Sequence, residues 1–239
     1  MPQDSPIVRF EGVTKVYRTG AIETHALRGF DLTVQPGEFV ALWGPSGSGK
    51  TTALNLIGAL DTPTSGSVAL EGQELGQLSR RALSALRRDR IGFVFQAYNL
   101  IPVLTAYENA EAVLALQGAS VASRKERVMA LLHKVGLEGM ENRLPHELSG
   151  GQQQRVAIAR AIASKPAVVL ADEPTANLDS VTSERLLAMM ARLNEEDGIT
   201  FIFSTHDPRV MKYARRLVGL VDGRVDTDVV KAQGEEVRT

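Results

Sequence analysis

Largely apolar runs recur along this chain at Glu38 to Trp43, Ile91 to Phe95, Val168 to Asp172 and Ile199 to Thr205. Each is strand-length and mostly uninterrupted by polar residues, as expected of a strand covered on both faces within a parallel sheet. Between them the period changes to that of a helix, at Thr51 to Leu60, at Val156, Ile158, Ala159, Ala161 and Ile162 ahead of Lys165-Pro166, and at Val181 to Asn194. Ile7 to Pro36 instead alternates, in Ile7 to Phe10 and Phe30 to Val34, which predicts an antiparallel sheet beside the parallel core. From about residue 97 to 165 the pattern is helical, with capping boxes predicted at Thr105/Glu108 and Ser123/Glu126 and a C-cap at Gly136. Leu217 to Val225 reads as a hairpin turning at Asp222-Gly223, and the polar residues beyond Asp226 predict a frayed tail. The expectation is an α/β fold in one domain. Core and antiparallel parts occupy about 1–96 and 166–239, with a helical subdomain inserted over about 97–165.

Chemistry enters where the first apolar run meets the first helix, at Gly44-Pro45-Ser46-Gly47-Ser48-Gly49-Lys50-Thr51-Thr52. Glycines at a strand-to-helix turn tolerate positive φ, so successive backbone N–H groups can surround a phosphate at a helix N-terminus. In such a loop the lysine reaches the β- and γ-oxygens and the following hydroxyl meets Mg²⁺. Taken alone, the motif means only nucleoside triphosphate binding.

A second segment, Leu148-Ser149-Gly150-Gly151-Gln152, narrows this. Its five positions arise by accident in a chain this long on the order of once in ten thousand. Ser149 is a good N-cap, so the segment offers a hydroxyl and glycine amides at another helix N-terminus. With both segments present, the chain resembles the ATP-binding-cassette ATPases over about Ile7 to Val225. The resemblance implies a P-loop NTPase core of the RecA-like kind. It also implies a dimer in which Ser149, Gly150, Gly151 and Gln152 of one copy contact the ATP on the phosphate loop of the other.

The same resemblance gives roles to further residues. Asp172, ending an apolar strand, binds Mg²⁺ through water, and Glu173 orients and polarises the attacking water. Gln96 touches metal and water, beginning a loop that senses a transport partner. His206 holds the γ-phosphate and Glu173 in register; of the four histidines it alone stands at a strand's C-terminal end. Asp179, in Ala176-Asn177-Leu178-Asp179, belongs to a loop crossing the dimer interface and doubles as an N-cap. Tyr17 matches the aromatic that stacks on adenine, a contact worth roughly 1–3 kcal/mol. The expected catalytic set is Glu173, His206, Gln96 and Lys50, with Thr51, Gln96 and Asp172 as metal ligands.

Composition changes the picture little. With 239 residues, 44% of them hydrophobic, the chain can bury a substantial core. No apolar stretch is long enough to cross a bilayer and no secretory pattern appears, so the chain is expected in the cytoplasm; the resemblance implies that it sits peripherally on the inner face of the membrane. Zero cysteines exclude disulfides and thiolate metal sites, and a net charge of −1 gives no broad attraction to nucleic acid. The arginines of Arg80 to Arg90 read as a solvated helix face, with acidic lipid or a partner protein as the alternative.

Within the family, Gly58 to Gly66 and Gln96 to Asn109 look like the group serving lipoprotein release and macrolide-type export, although Ala53, Ala59 and Arg215 depart from the usual residues. The implied machine uses ATP and Mg²⁺, closes as a homodimer, and moves a separate membrane permease that works with a periplasmic adaptor. Two rivals stay open: a soluble cassette ATPase acting on ribosomes or DNA, and a scaffold that binds ATP and signals by dimerising.

Overall fold

The computed structural model describes residues 5–231. Along the chain come β1 (Val8–Thr19), β2 (Ile22–Val34), β3 (Phe39–Trp43), α1 (Lys50–Ile57), β4 (Ser65–Leu70), β5 (Gln73–Glu74), α2 (Arg80–Arg90) and β6 (Ile91–Val94). Then follow α3 (Ala106–Leu116), α4 (Val121–Lys134), α5 (Gly150–Ala163), β7 (Val168–Asp172), α6 (Ser180–Asp197), β8 (Thr200–Thr205), α7 (Pro208–Tyr213), β9 (Arg216–Val221) and β10 (Arg224–Val230).

The apolar runs become neighbours in a six-stranded sheet of order β10-β9-β3-β8-β7-β6, parallel except at β10. Alternate residues of each strand feed opposite cores. Phe39, Ala41, Val169, Ala171, Phe201 and Phe203 pack towards α3, α5 and α6, whereas Val40, Leu42, Val168, Leu170 and Ile202 pack towards α1 and a second sheet. Both faces are therefore dry, which is why the sequence runs are apolar without alternation. Phe39 lies edge-on to Phe201 and Phe203, with centroids 5.5 and 4.6 Å away, and burying each such ring contributes roughly 1.5–3 kcal/mol. The second sheet, β2-β1-β4-β5, is antiparallel and one-sided, matching the alternation that predicted it.

Local chemistry sets the helix ends. Thr105 and Glu108 form the predicted capping box on α3, and Ser149, expected as an N-cap, forms a capping box with Gln152 on α5. On α4 the N-cap is Ser120, which accepts from the Ser123 N–H, so the predicted Ser123/Glu126 box is corrected: the helix starts one turn earlier and Ser123 already lies inside it. Gly136, one residue beyond that helix's C-cap, takes φ 73°. A second correction concerns the tail, because β10 continues to Val230. Arg216 holds it, donating to both oxygens of Asp228 at 2.8 and 2.7 Å while also bridging Glu38. The rest of the predicted tail lies outside the described residues.

The arginines of α2 are largely committed to the fold. Arg87 donates to the Ala59 carbonyl, Arg88 pairs with Asp89, and Arg90 pairs with Glu71 across to the antiparallel sheet. Among the described residues no helix is long and apolar enough to cross a membrane.

Candidate functional site

Because β3, β8, β7 and β6 are parallel neighbours, their C-terminal ends form one rim spanning roughly 14 Å at about 4.8 Å per strand. The phosphate loop leaves β3, His206 follows β8, Asp172 ends β7 with Glu173 directly after it, and Gln96 stands two residues past β6. They meet in a cleft of about 610 Å³ whose lining includes Tyr17, Ser46, Gly47, Lys50, Thr51, Gln96, Glu173 and His206.

The loop is shaped by its glycines. Gly44 has φ 147° and Gly49 φ 105°; a Cβ on Gly44 would lie 2.2 Å from the Leu220 carbonyl oxygen, and one on Gly49 would lie 2.6 Å from that of Ala26. Only glycine allows the loop to lie this close to its surroundings. The loop is also buttressed from the β9–β10 hairpin, where the Gly223 N–H donates to the Ser48 carbonyl at 3.1 Å. Lys50 is buried at the first position of α1, its ammonium donating to the carbonyls of Gly44 and Pro45 at 2.8 and 2.9 Å. Burial pulls its pKa below the ordinary lysine value, and the Glu173 and Asp172 carboxylates pull it part of the way back. Ser48 Oγ, buried in the same loop, has no hydrogen-bond partner among the described residues.

Across the cleft, Thr51 Oγ1 donates to Asp172 Oδ1 at 3.1 Å, and the Ser204 hydroxyl donates to the same oxygen. A hydroxyl and a carboxylate meeting at the phosphate end of a cleft suit Mg²⁺, which takes few protein ligands and completes its shell with phosphate and water. Glu173 has φ 47°, a left-handed turn that carries its side chain to His206, where Oε1 lies 2.7 Å from Nδ1. The imidazole that makes this contact is 72% exposed.

Gln96 has its carbonyl held by the Asn177 amide at 2.9 Å. The next residues, Tyr98 and Asn99, both have positive φ, and Arg160 of α5 donates to both of their carbonyls. Ser149, Gly150, Gly151, Gln152 and Asp179 are not part of the cleft lining. They form a separate group at the adjoining N-termini of α5 and α6. Asp179 accepts from the Thr182 N–H, and Thr182 Cγ2 crowds the position a Cβ on Gly151 would take.

Sequence reasoning missed several residues at the cleft. Thr24, His25 and Ala26 line it from β2, and Ser204 supports Asp172 from within a strand that otherwise reads as apolar core. Lys15 and Asp61, which contact Tyr17, were missed as well; Lys15 had a signal, being two residues from Tyr17 on one strand, whereas Asp61 had none.

The ABC transporter family model matches residues 27–176. A lipoprotein-releasing system ATP-binding protein LolD from Anaeromyxobacter dehalogenans is 48% identical, the alignment covering 95% of each chain. A macrolide export ATP-binding/permease protein MacB from Syntrophobacter fumaroxidans is 49% identical over 93% of this chain, which spans only 31% of that relative's length. Among solved structures, the ATP-binding cassette MJ0796, in a dimeric post-hydrolysis state bound to ADP and Pi, superposes with a TM-score of 0.86 at 45% identity, covering 93% of this chain and 98% of the other. MJ0796 comes from Methanocaldococcus jannaschii.

Proposed function

From the premise that this chain belongs to the ABC transporter family, we propose that it is the ATP-hydrolysing subunit of a transport system of the lipoprotein-release or macrolide-export kind, acting as a homodimer on a membrane permease. The observation that carries this reading is the convergence of Lys50, Thr51-Asp172 and the Glu173–His206 pair on one cleft.

The phosphate loop binds the triphosphate through its amides, while Lys50 exchanges the Gly44 and Pro45 carbonyls for β- and γ-oxygens. Thr51, Asp172 and Gln96 would hold a Mg²⁺ ion, which would supply charge neutralisation to the bound triphosphate. Glu173 orients and polarises the attacking water, and His206 fixes the direction of its carboxylate through the 2.7 Å contact. Ser149, Gly150, Gly151, Gln152 and Asp179 stand outside the cleft of their own chain and are available to close the cleft of a second copy; that MJ0796 is solved as a dimer supports the pairing of two copies. Because ATP binds the closed pair better than the open one, it shifts that equilibrium by the difference in affinity. A permease docked on the helical subdomain, near Gln96, receives the movement. That placement puts the chain on the inner face of the membrane, with any periplasmic adaptor reached through the permease.

The test is ATP turnover by the purified chain and by Glu173→Gln. Turnover should fall about 10²–10⁴-fold, and the variant should elute as an ATP-trapped dimer on size exclusion. Equal turnover refutes the role of Glu173, whereas no turnover by the native chain favours the scaffold.

A further inference from the structure

Tyr17 is pinned from two directions. Its hydroxyl donates to Asp61 Oδ2 at 2.8 Å, while Lys15 Nζ donates to Asp61 Oδ1 at 2.6 Å. Residues two apart on a strand share a face, so one carboxylate serves both. Lys15 Nζ also donates to the Thr62 carbonyl and lies 4.8 Å from the Tyr17 ring centroid, over its face. Lys15 is buried, whereas Tyr17 is 38% exposed and lines the cleft. One ring face is thus backed by a buried cation.

Asp61 is fixed in turn. It accepts from the Thr62 N–H at 2.7 Å, and its own N–H donates to Asn55 of α1. Burial pushes its carboxyl up, but the hydrogen bonds from Lys15, Tyr17 and Thr62 outweigh that and hold it below the ordinary aspartate value. The carboxylate is therefore charged whenever the protein is folded near neutral pH. Since Asp61 lies just past the helix that starts with Lys50 and Thr51, it connects the ring to the element that faces the phosphates.

We propose that Asp61 and Lys15 form a positioning bracket that sets the tilt and height of the Tyr17 ring for a purine base, making both determinants of ATP affinity although neither touches the nucleotide. The inference rests on Tyr17 being the base platform. A ring held at its hydroxyl and on one face surrenders little rotamer freedom when a base stacks on the other. The ammonium behind it adds an electrostatic hold on the ring's orientation.

The experiment measures KM for ATP, kcat, and the inhibition constant of inorganic tripolyphosphate, which engages only the phosphate end. Asp61→Asn, Lys15→Met and Tyr17→Phe are compared with the native chain, and Asp61→Asn is repeated in a Tyr17→Ala background. The bracket predicts KM for ATP raised about three- to tenfold, with kcat within about twofold and the tripolyphosphate constant unmoved. In the Tyr17→Ala background Asp61→Asn should add nothing, because a positioning residue acts only through the group it positions. An equal effect of Asp61→Asn in both backgrounds, a parallel weakening of tripolyphosphate, or an unchanged KM overturns the bracket. Tyr17→Phe tests the same contact without disturbing the Lys15–Asp61 pair, should either of those variants fold poorly. If Tyr17→Ala alone leaves KM unchanged, the platform fails with the bracket; loss of tripolyphosphate inhibition in the native chain would instead sink the phosphate site itself.

Discussion

A single methyl group at Gly223 should do damage at a distance from the chemistry. It lies in the β9–β10 turn with φ +76°, its N–H donating to Ser48 of the phosphate loop and its carbonyl accepting from Arg28. An added Cβ would stand 2.6 Å from the Ala26 oxygen and 2.9 Å from Leu27 Cα, both backbone atoms that cannot swing aside. Alanine in the left-handed region costs about 1–2 kcal/mol, and overpacking costs about 1–3 kcal/mol more. A total of about 3 kcal/mol corresponds to roughly 6–12 °C in Tm for a domain of this size. Gly20→Ala is the control, since φ there is +61° but nothing lies within 4 Å of the added Cβ. Only the conformational part remains, about 1 kcal/mol and roughly 2–4 °C. Scanning calorimetry of both variants gives the comparison, and KM for ATP shows whether the loop has shifted. Equal melting temperatures for Gly223→Ala and Gly20→Ala, with KM unmoved in both, would refute the claim that the hairpin buttresses the loop.

Two further outcomes follow from the caps and the charges. Ser149→Ala should lower Tm by only about 2–4 °C, the usual loss for an N-cap, yet reduce turnover by more than about tenfold. Mixing it with Lys50→Ala should restore part of the activity, because one site of each mixed dimer is intact; no restoration would argue against sites completed in trans. For pH, the depressed Asp61 carboxyl means the bracket is fully present above the unfolded aspartate value of about 3.9 and is lost only as pH falls through the lower folded value. The ratio of KM between Asp61→Asn and the native chain should therefore stay flat from about pH 6 to 8. A ratio that collapses within that window would show that another group controls the ring.

What could be read from the sequence was whatever the chain encodes within a few residues. The apolar strands announced themselves because both faces of β3, β7 and β8 are buried, and the phosphate loop because its glycines, lysine and threonine are contiguous. Ser120 escaped notice since Ser123 and Glu126 offer the same cap spacing one turn later, and only packing decides between them. The continuation of β10 depends on the Arg216–Asp228 pairing across a hairpin, which composition does not reveal. Asp61 was invisible for a sharper reason: its contact with Tyr17 joins residues 44 positions apart, so no local pattern marks it. The separation of Ser149 and Asp179 from the cleft of their own chain was implied by the family resemblance rather than by any local pattern, since it depends on how α5 and α6 lie against the sheet.

Lys50 is already largely buried, its ammonium bonded to two carbonyls of the loop it belongs to. Most of the dehydration of that cation was therefore settled when the chain folded. An arriving triphosphate has only to offer oxygens of fuller negative charge than the peptide dipoles it displaces. Selectivity for multiply charged ligands over neutral ones is thus set by an exchange of acceptors, and a weakly charged competitor finds the lysine already engaged.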